Sequence, residues 1–122
     1  MRLKLLLVLI ITSVFTLSFQ NKPKIMAFQT SDIDLGTVPL KGSKNAVFYY
    51  TNESKSPVII LEAKTSCGCT KVKYSRRPTV ANARDSVVVT YEPNETGVFY
   101  KKIILKNSSG ESNVLIVKGV VK

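Results

Sequence analysis

Residues 86–121 read SVVVTYEPNETGVFYKKIILKNSSGESNVLIVKGVV. Three runs rich in Val, Ile, Tyr and Phe are separated here by two turn sequences, one at Glu92-Pro93-Asn94 and one over residues 107–110. Proline fixes its own φ, and glycine and asparagine tolerate positive φ, so these residues favour turns. The stretch therefore predicts three successive β-strands.

Side chains alternate between the two faces of a strand, so the more apolar alternate set is predicted to face a core. In residues 86–92 the more apolar set is Val87, Val89 and Tyr91, because the other set contains Ser86 and Thr90. The residues predicted to point inward are Val87, Val89, Tyr91, Leu115, Val117, Gly119 and Val121, with Phe48 and Tyr50 in an earlier strand.

The same pattern of short β-rich runs and turn residues extends back to residue 25. The predicted strands span residues 25–29, 32–35, 46–52, 58–63, 70–74, 86–92, 98–106 and 113–121. No segment keeps helical spacing over about ten residues without a proline, a glycine or a β-branched run. Short strands with regular turns and no intervening helix predict an all-β fold, an immunoglobulin-like antiparallel β-sandwich of about seven to eight strands.

The N-terminal residues differ from the rest of the chain. Arg2 and Lys4 precede an apolar run that continues to Leu17, and the next charge is Lys22. An apolar run of roughly fifteen residues behind a basic start is typical of a signal peptide and is shorter than the ~20 residues that span a bilayer. We predict a signal peptide over residues 1–20 and one domain over residues 21–122. The protein is then extracytoplasmic, periplasmic or secreted, with no membrane span in its mature form; an uncleaved N-terminal anchor is the alternative.

Basic residues outnumber acidic ones by 18 to 8, which gives a net charge of +10. Six basic residues follow one another without an intervening acid: Lys64, Lys71, Lys73, Arg76, Arg77 and Arg84. Only Tyr74 is interleaved with them, and a nucleic-acid site would have more aromatic residues, so no nucleic-acid partner is predicted. Two interpretations stay open, a solvated face that protects a sheet edge or a weak contact with an anionic surface.

Both cysteines lie in residues 65–70, TSCGCT. A bridge between Cys67 and Cys69 is sterically feasible, since Gly68 permits the turn that brings two Cα atoms to the ~4.4–6.8 Å of a disulfide. So short a loop contributes about 1.6 kcal/mol by loop entropy, so we expect it to shape a local turn and add little global stability. Three alternatives remain: two inert buried thiols, a Cu(I) site made of two thiolates, and thiol exchange favoured by the nearby Lys64, Lys71 and Lys73.

The sequence contains no recognisable catalytic constellation. It has no histidine, which excludes Ser-His-Asp and Cys-His arrangements, and a four-ligand zinc site cannot be built within one chain. Glu92 and Glu95 are close in sequence near a turn, where two solvated carboxylates are expected rather than an acid–base pair. We therefore expect no enzymatic activity and no cofactor.

Several segments together resemble the domain of unknown function 1573 family: the TSCGCT run, the valine-rich strand after it, Gly97 with Phe99 and Lys102, and residues 118–121, KGVV. The resemblance covers residues 28–122. It implies an exported bacterial protein with an immunoglobulin-like fold similar to those of the major sperm protein and PapD type, and it implies no reaction.

Two departures from that family bear on what the resemblance implies. Members often have Pro-Gly where this chain has Ala81-Asn82, and asparagine can still enter the left-handed region, so the turn is expected to survive. The lipoprotein cysteine that many members carry after the signal peptide is missing here, so lipid anchoring is not implied.

These observations predict a non-enzymatic protein-interaction module of the cell envelope. Its partner is expected to be another envelope protein, bound through an exposed sheet edge or through the loop at Cys67 and Cys69. The alternative function is Cu(I) or thiol-redox handling by the same two cysteines.

The signal peptide is expected to be removed between residues 18 and 21, because Thr16 and Ser18 are small residues at the spacing of a cleavage site. N-terminal sequencing of exported protein checks this. A mature chain that begins within that window supports cleavage, and one that begins at Met1 contradicts it.

Overall fold

A computed structural model of the chain describes residues 2–4 and 24–122. Eight strands form in this part of the chain, and all eight predicted strands are confirmed, with ends that differ by a few residues. The strands are β1 Met26–Phe28, β2 Asp32–Val38, β3 Lys44–Asn52, β4 Ile60–Thr65, β5 Thr70–Tyr74, β6 Arg84–Tyr91, β7 Gly97–Asn107 and β8 Ser112–Val121.

The strands form two facing four-stranded sheets, which confirms the immunoglobulin-like sandwich. The first sheet has the order β1-β3-β6-β5 and the second has the order β2-β8-β7-β4. Residues 29–31 connect β1 to β2, and residues 66–69 connect β4 to β5. The chain therefore passes from one sheet to the other at both side edges of the sandwich, by very short links.

One strand pair departs from the antiparallel arrangement. β2 and β8 run parallel, with Ile33 opposite Val117 and Val38 opposite Val121. β7 pairs with one side of β8, and β2 pairs with the other side, which would otherwise be unpaired. Parallel pairing needs a long connection between the two strands, and the rest of the domain supplies it.

The predicted inward faces are confirmed by burial. Phe48, Val87 and Leu115 are fully buried, whereas Tyr49, next to Phe48, is 54% exposed. Tyr91 of the first sheet stacks on Phe99 of the second, with ring centroids 4.0 Å apart. Because full burial of one such side chain is worth about 1.5–3 kcal/mol, the interdigitating inner faces are the main source of stability.

A buried asparagine organises the segment that follows β3. The amide nitrogen of Asn52 donates to the carbonyls of Ser56 and Thr79, both at 2.8 Å. Its amide oxygen accepts from the N–H and the hydroxyl of Ser54, at 3.0 and 2.7 Å. Every polar atom of this fully buried side chain therefore has a partner, so its burial carries little desolvation penalty.

The turn at Ala81-Asn82 is kept, as expected from the residue type. Asn82 has a φ of 64°, in the left-handed region. Its N–H donates to the carbonyl of Asn52 at 2.8 Å, which ties the turn to the end of β3.

The predicted signal peptide lies outside the described residues apart from residues 2–4, and it stays a prediction. Within residues 2–4 and 24–122, no helix has the length and apolar character needed to cross a bilayer.

Gly119→Ala is expected to lower the free energy of unfolding by about 1–3 kcal/mol, because an added Cβ overpacks the core. It would lie 2.5 Å from the carbonyl oxygen of Gly36 and 2.8 Å from the ring of Phe99. Gly68→Ala is the control, since nothing lies within 4 Å of a Cβ built there. Denaturant unfolding measures both variants, and equal stabilities would contradict the close approach of β2 to β8 at Gly119.

Candidate functional site

The Cys67–Cys69 segment lies in the crossover from β4 of the second sheet to β5 of the first. The two cysteines form a disulfide-like pair with their Cα atoms 5.2 Å apart, which supports the local pairing predicted from the sequence. Gly68 does not have a positive φ, and a Cβ added to it would meet no atom within 4 Å. The crossover therefore does not need the backbone freedom of glycine that the sequence analysis assigned to Gly68.

Two threonines hold the crossover at both of its ends. The carbonyl of Cys67 accepts from the hydroxyl of Thr65 at 3.2 Å and from the N–H of Thr70 at 3.3 Å. The N–H of Cys69 lies 3.1 Å from the sulfur of Cys67. The contact of Thr65 uses its side chain, whereas the contact of Thr70 uses a backbone N–H that any residue except proline could supply.

The cysteine pair is more deeply buried than a peripheral turn would be. Cys69 is 8% exposed and belongs to the hydrophobic core, and Cys67 is half-buried against that core. The expectation that the pair adds little global stability rested on loop length alone. Burial adds a packing contribution that loop length does not include.

The pairing of the sulfurs limits the chemistry of this segment. A disulfide has no thiolate to bind Cu(I) or to act as a nucleophile, so both alternatives require prior reduction. In the described part of the chain, no three side chains of the His, Cys, Asp or Glu type gather at one place.

The contacts at the end of the crossover determine which residues of β5 form backbone hydrogen bonds with β6. Glu92 donates its N–H to the carbonyl of Cys69 at 2.8 Å, and Thr70 lies opposite Tyr91. Antiparallel pairs alternate between hydrogen-bonded and non-hydrogen-bonded positions. Lys71 and Lys73 therefore bond to β6 through their backbone groups.

The other three residues of β5 turn their backbone groups to the open side of the strand. The N–H of Thr70 is satisfied by Cys67 at 3.3 Å. The N–H and C=O groups of Val72 and Tyr74 have no hydrogen-bond partner among residues 24–122. The side chains of these two residues are half-buried against the core, so the backbone of this edge is unpaired while its side chains hold it in place.

The other three sheet edges offer less regular backbone. β1 has only three residues, and β4 has a register shift between Ile60 and Glu62. β2 has a register shift between Asp34 and Thr37, and the ammonium of Lys44 donates to the carbonyl of Leu35 at 2.6 Å. Of the four edges in the described part of the chain, β5 is the one whose register is continuous over more than three residues.

The structure divides the six basic residues of the sequence cluster. Lys71 and Lys73 point outward from β5, and Arg76 and Arg77 follow directly after it, all four exposed. Arg84 begins β6 in the same sheet. Lys64 lies on β4 of the opposite sheet, where it pairs with Glu62 at 3.6 Å. Three of the six therefore lie in the sheet that carries the open edge, and two more lie in the connection that follows β5.

The two acids near the β6–β7 turn do not form a pair. Glu92 forms an ion pair with Lys71 at 3.1 Å. Glu95 is exposed, and it adds to the effect of burial in raising the pKa of the Tyr91 hydroxyl. This fits the sequence interpretation of solvated turn carboxylates rather than an acid and base that share a substrate.

The sequence predicted binding at an exposed sheet edge but did not identify β5 as that edge. Whether a strand lies at an edge depends on the sheet order, which the sequence alone did not provide. The alternation of Lys71, Val72, Lys73 and Tyr74 was the available signal, because it indicates one solvated face and one half-buried face.

Comparison with known proteins identifies a family without an assigned activity. A protein-family model described as "Protein of unknown function (DUF1573)" matches residues 26–121. No curated protein matches the sequence.

Solved structures with related folds differ widely in origin. The chain is similar to PapD-like domain 7 of human CEP192, with a TM-score of 0.70 and 7% identity, over 80% of this chain and 85% of that one. It is similar to a protein of unknown function from Porphyromonas gingivalis, with a TM-score of 0.67 and 11% identity, over 84% of this chain and 51% of that one. It is also similar to WR4, an MSP family member from C. elegans, with a TM-score of 0.57 and 16% identity, over 82% of this chain and 100% of that one. At these identities the likeness shows the fold alone.

Cys69→Ser is expected to lower the free energy of unfolding by about 1–3 kcal/mol more than Cys67→Ser, because it leaves a buried hydroxyl without a partner. Both substitutions break the bridge, so the contribution of loop entropy cancels in the comparison. The hydroxyl of Thr70 lies 3.9 Å from the sulfur of Cys69, too far to compensate. Denaturant unfolding of both variants provides the measurement, and equal losses would show that burial at Cys69 adds nothing to the bridge.

Proposed function

The chain belongs to the family described as "Protein of unknown function (DUF1573)", and we propose that it is an exported, non-enzymatic interaction module that binds another extracytoplasmic protein by strand addition to β5. One observation carries this proposal, the open backbone of Val72 and Tyr74 in a sheet edge with continuous register. Strand addition to a sheet edge is an established mode of peptide recognition, in which main-chain hydrogen bonds supply affinity.

The edge has enough free groups to hold an extended segment. Val72 and Tyr74 each offer one N–H and one C=O, and the carbonyl of Thr70 adds an acceptor. A hydrogen bond of this kind contributes about 0.5–1.5 kcal/mol net, so the full set supports binding of moderate strength.

The crossover supports this role because it fixes the start of β5. Its contacts at Cys67, Cys69 and Thr70 hold the first residue of the edge in place. The half-buried side chains of Val72 and Tyr74 hold the rest. An edge that is ordered before binding loses less conformational entropy on binding, which raises affinity.

The metal or redox alternative depends on the state of the same cysteines. Mass spectrometry of the mature protein from its native compartment separates the two functions. A mass lower by two hydrogens reports the disulfide, and a copper adduct supports the alternative. Two free thiols without a metal fit inert buried cysteines and support neither metal nor redox handling.

A photo-crosslinking amino acid at position 73 is expected to trap a discrete partner in the native host, because this position lies beside the open edge. Val72→Pro in the same chain is expected to abolish the adduct, since it removes an outward N–H and proline is tolerated at sheet edges. The crosslinker at position 106, on the interior strand β7, is the control.

Thermal unfolding and circular dichroism confirm that each variant is folded. The proposal fails if Val72→Pro leaves the adduct unchanged in a folded protein, or if positions 73 and 106 trap the same partner.

A further inference from the structure

We infer that the segment bound by β5 is an acidic strand in which carboxylate side chains alternate with apolar ones. This inference rests on the proposed strand addition and adds the chemical class of the partner. It follows from the side chains that surround the open edge.

The solvent face beside the edge is basic. Lys71 and Lys73 point outward from β5, and Arg76 and Arg77 extend the positive charge beyond its end. Within residues 24–122, the salt bridges in this region involve Lys71 with Glu92 only, so Lys73, Arg76 and Arg77 keep their charges uncompensated. A strand added to β5 would place alternate side chains directly beside these residues.

The opposite face of the added strand meets a different environment. Val72 and Tyr74 point inward and pack against the core, half-buried. The residues of a bound strand that lie on that face extend the same apolar surface. Apolar and acidic residues therefore alternate in the segment that fits this edge best.

A second copy of the chain does not meet these requirements. Pairing β5 with another β5 would bring Lys71 and Lys73 against the same basic residues, and like charges opposite each other in a sheet are destabilising. The mature chain, without Arg2 and Lys4, keeps 16 basic and 8 acidic residues, and its net charge of +8 adds repulsion between copies. The edge therefore disfavours pairing with β5 of a second copy and favours a partner of opposite charge.

The size of the charge contribution follows from cross-strand pairs. An opposite-charge pair is worth roughly 0.2–1 kcal/mol, and a like-charge pair costs a similar amount. Reversing Lys71 and Lys73 replaces favourable pairs with the added strand by unfavourable ones, and the contribution of Lys73 is the larger because Glu92 already balances part of the Lys71 charge. The expected loss of affinity is about tenfold.

The test uses the full mature chain and a short fluorescent peptide of alternating glutamate and valine, with binding measured by fluorescence anisotropy. Lys71→Glu/Lys73→Glu is expected to weaken binding about tenfold. Lys102→Glu/Lys106→Glu is the matched control, because it makes the same charge change on the exposed face of β7 in the opposite sheet. Its binding is expected to stay within about twofold of the parent protein.

Two further peptides separate the reasons for a failure. The same peptide with methylated backbone nitrogens must lose binding if the strand adds to the edge. A neutral peptide of alternating threonine and valine that binds as tightly as the acidic one would overturn the acidic inference and leave strand addition standing. Methylated and unmethylated acidic peptides that bind equally, or no binding of any peptide, would overturn both.

Vesicles that contain phosphatidylglycerol test whether the basic face binds a lipid surface instead. If they bind the protein, lose binding in Lys71→Glu/Lys73→Glu, and no peptide binds, the basic face serves a lipid surface and the inference is wrong. Circular dichroism and thermal unfolding of both double variants confirm that the fold is intact; all four substituted lysines are exposed.

Discussion

Burial of one set of alternate side chains between two facing sheets is the constraint on which the rest of this structure depends. β6 illustrates it, since Val87, Val89 and Tyr91 fill the core while the backbone of the strand is paired on both sides. An interior strand therefore has no main-chain group left to offer. Whatever the chain presents for recognition comes from the outer faces of the sheets, from their edges and from the loops between strands.

The two sheets also have to be connected, and the connection at the β4–β5 edge is only residues 66–69. A link this short must bend sharply while it satisfies its own backbone groups. Thr65, Thr70 and Glu92 supply those hydrogen bonds, and Cys69 brings a sulfur into the core. The same contacts determine which backbone groups of β5 face solvent, so the core, the cysteine pair and the open edge form one connected arrangement.

Local patterns in the sequence were sufficient for the strands and for their buried faces. Period-two alternation placed Phe48, Val87 and Leu115 inward because burial acts on every second residue regardless of neighbouring strands. The parallel pairing of β2 with β8 was not predictable in this way, since it joins residues that are far apart in sequence and depends on which edge remains free. The burial of Cys69 was left open among the alternatives for the same reason, because loop entropy depends on spacing and packing depends on the surrounding sheets.

The position of β8 has a consequence for how the molecule assembles. This most C-terminal of the eight strands is an interior strand of its sheet, between β2 and β7. β2, near the other end of the domain, has no partner within its sheet until β8 has been made. Such non-local closure gives high contact order and slow folding, so the nascent chain stays without a complete second sheet until its last strand emerges. The proposed export fits that delay, because an incomplete sandwich is easier to thread through a membrane than a finished one.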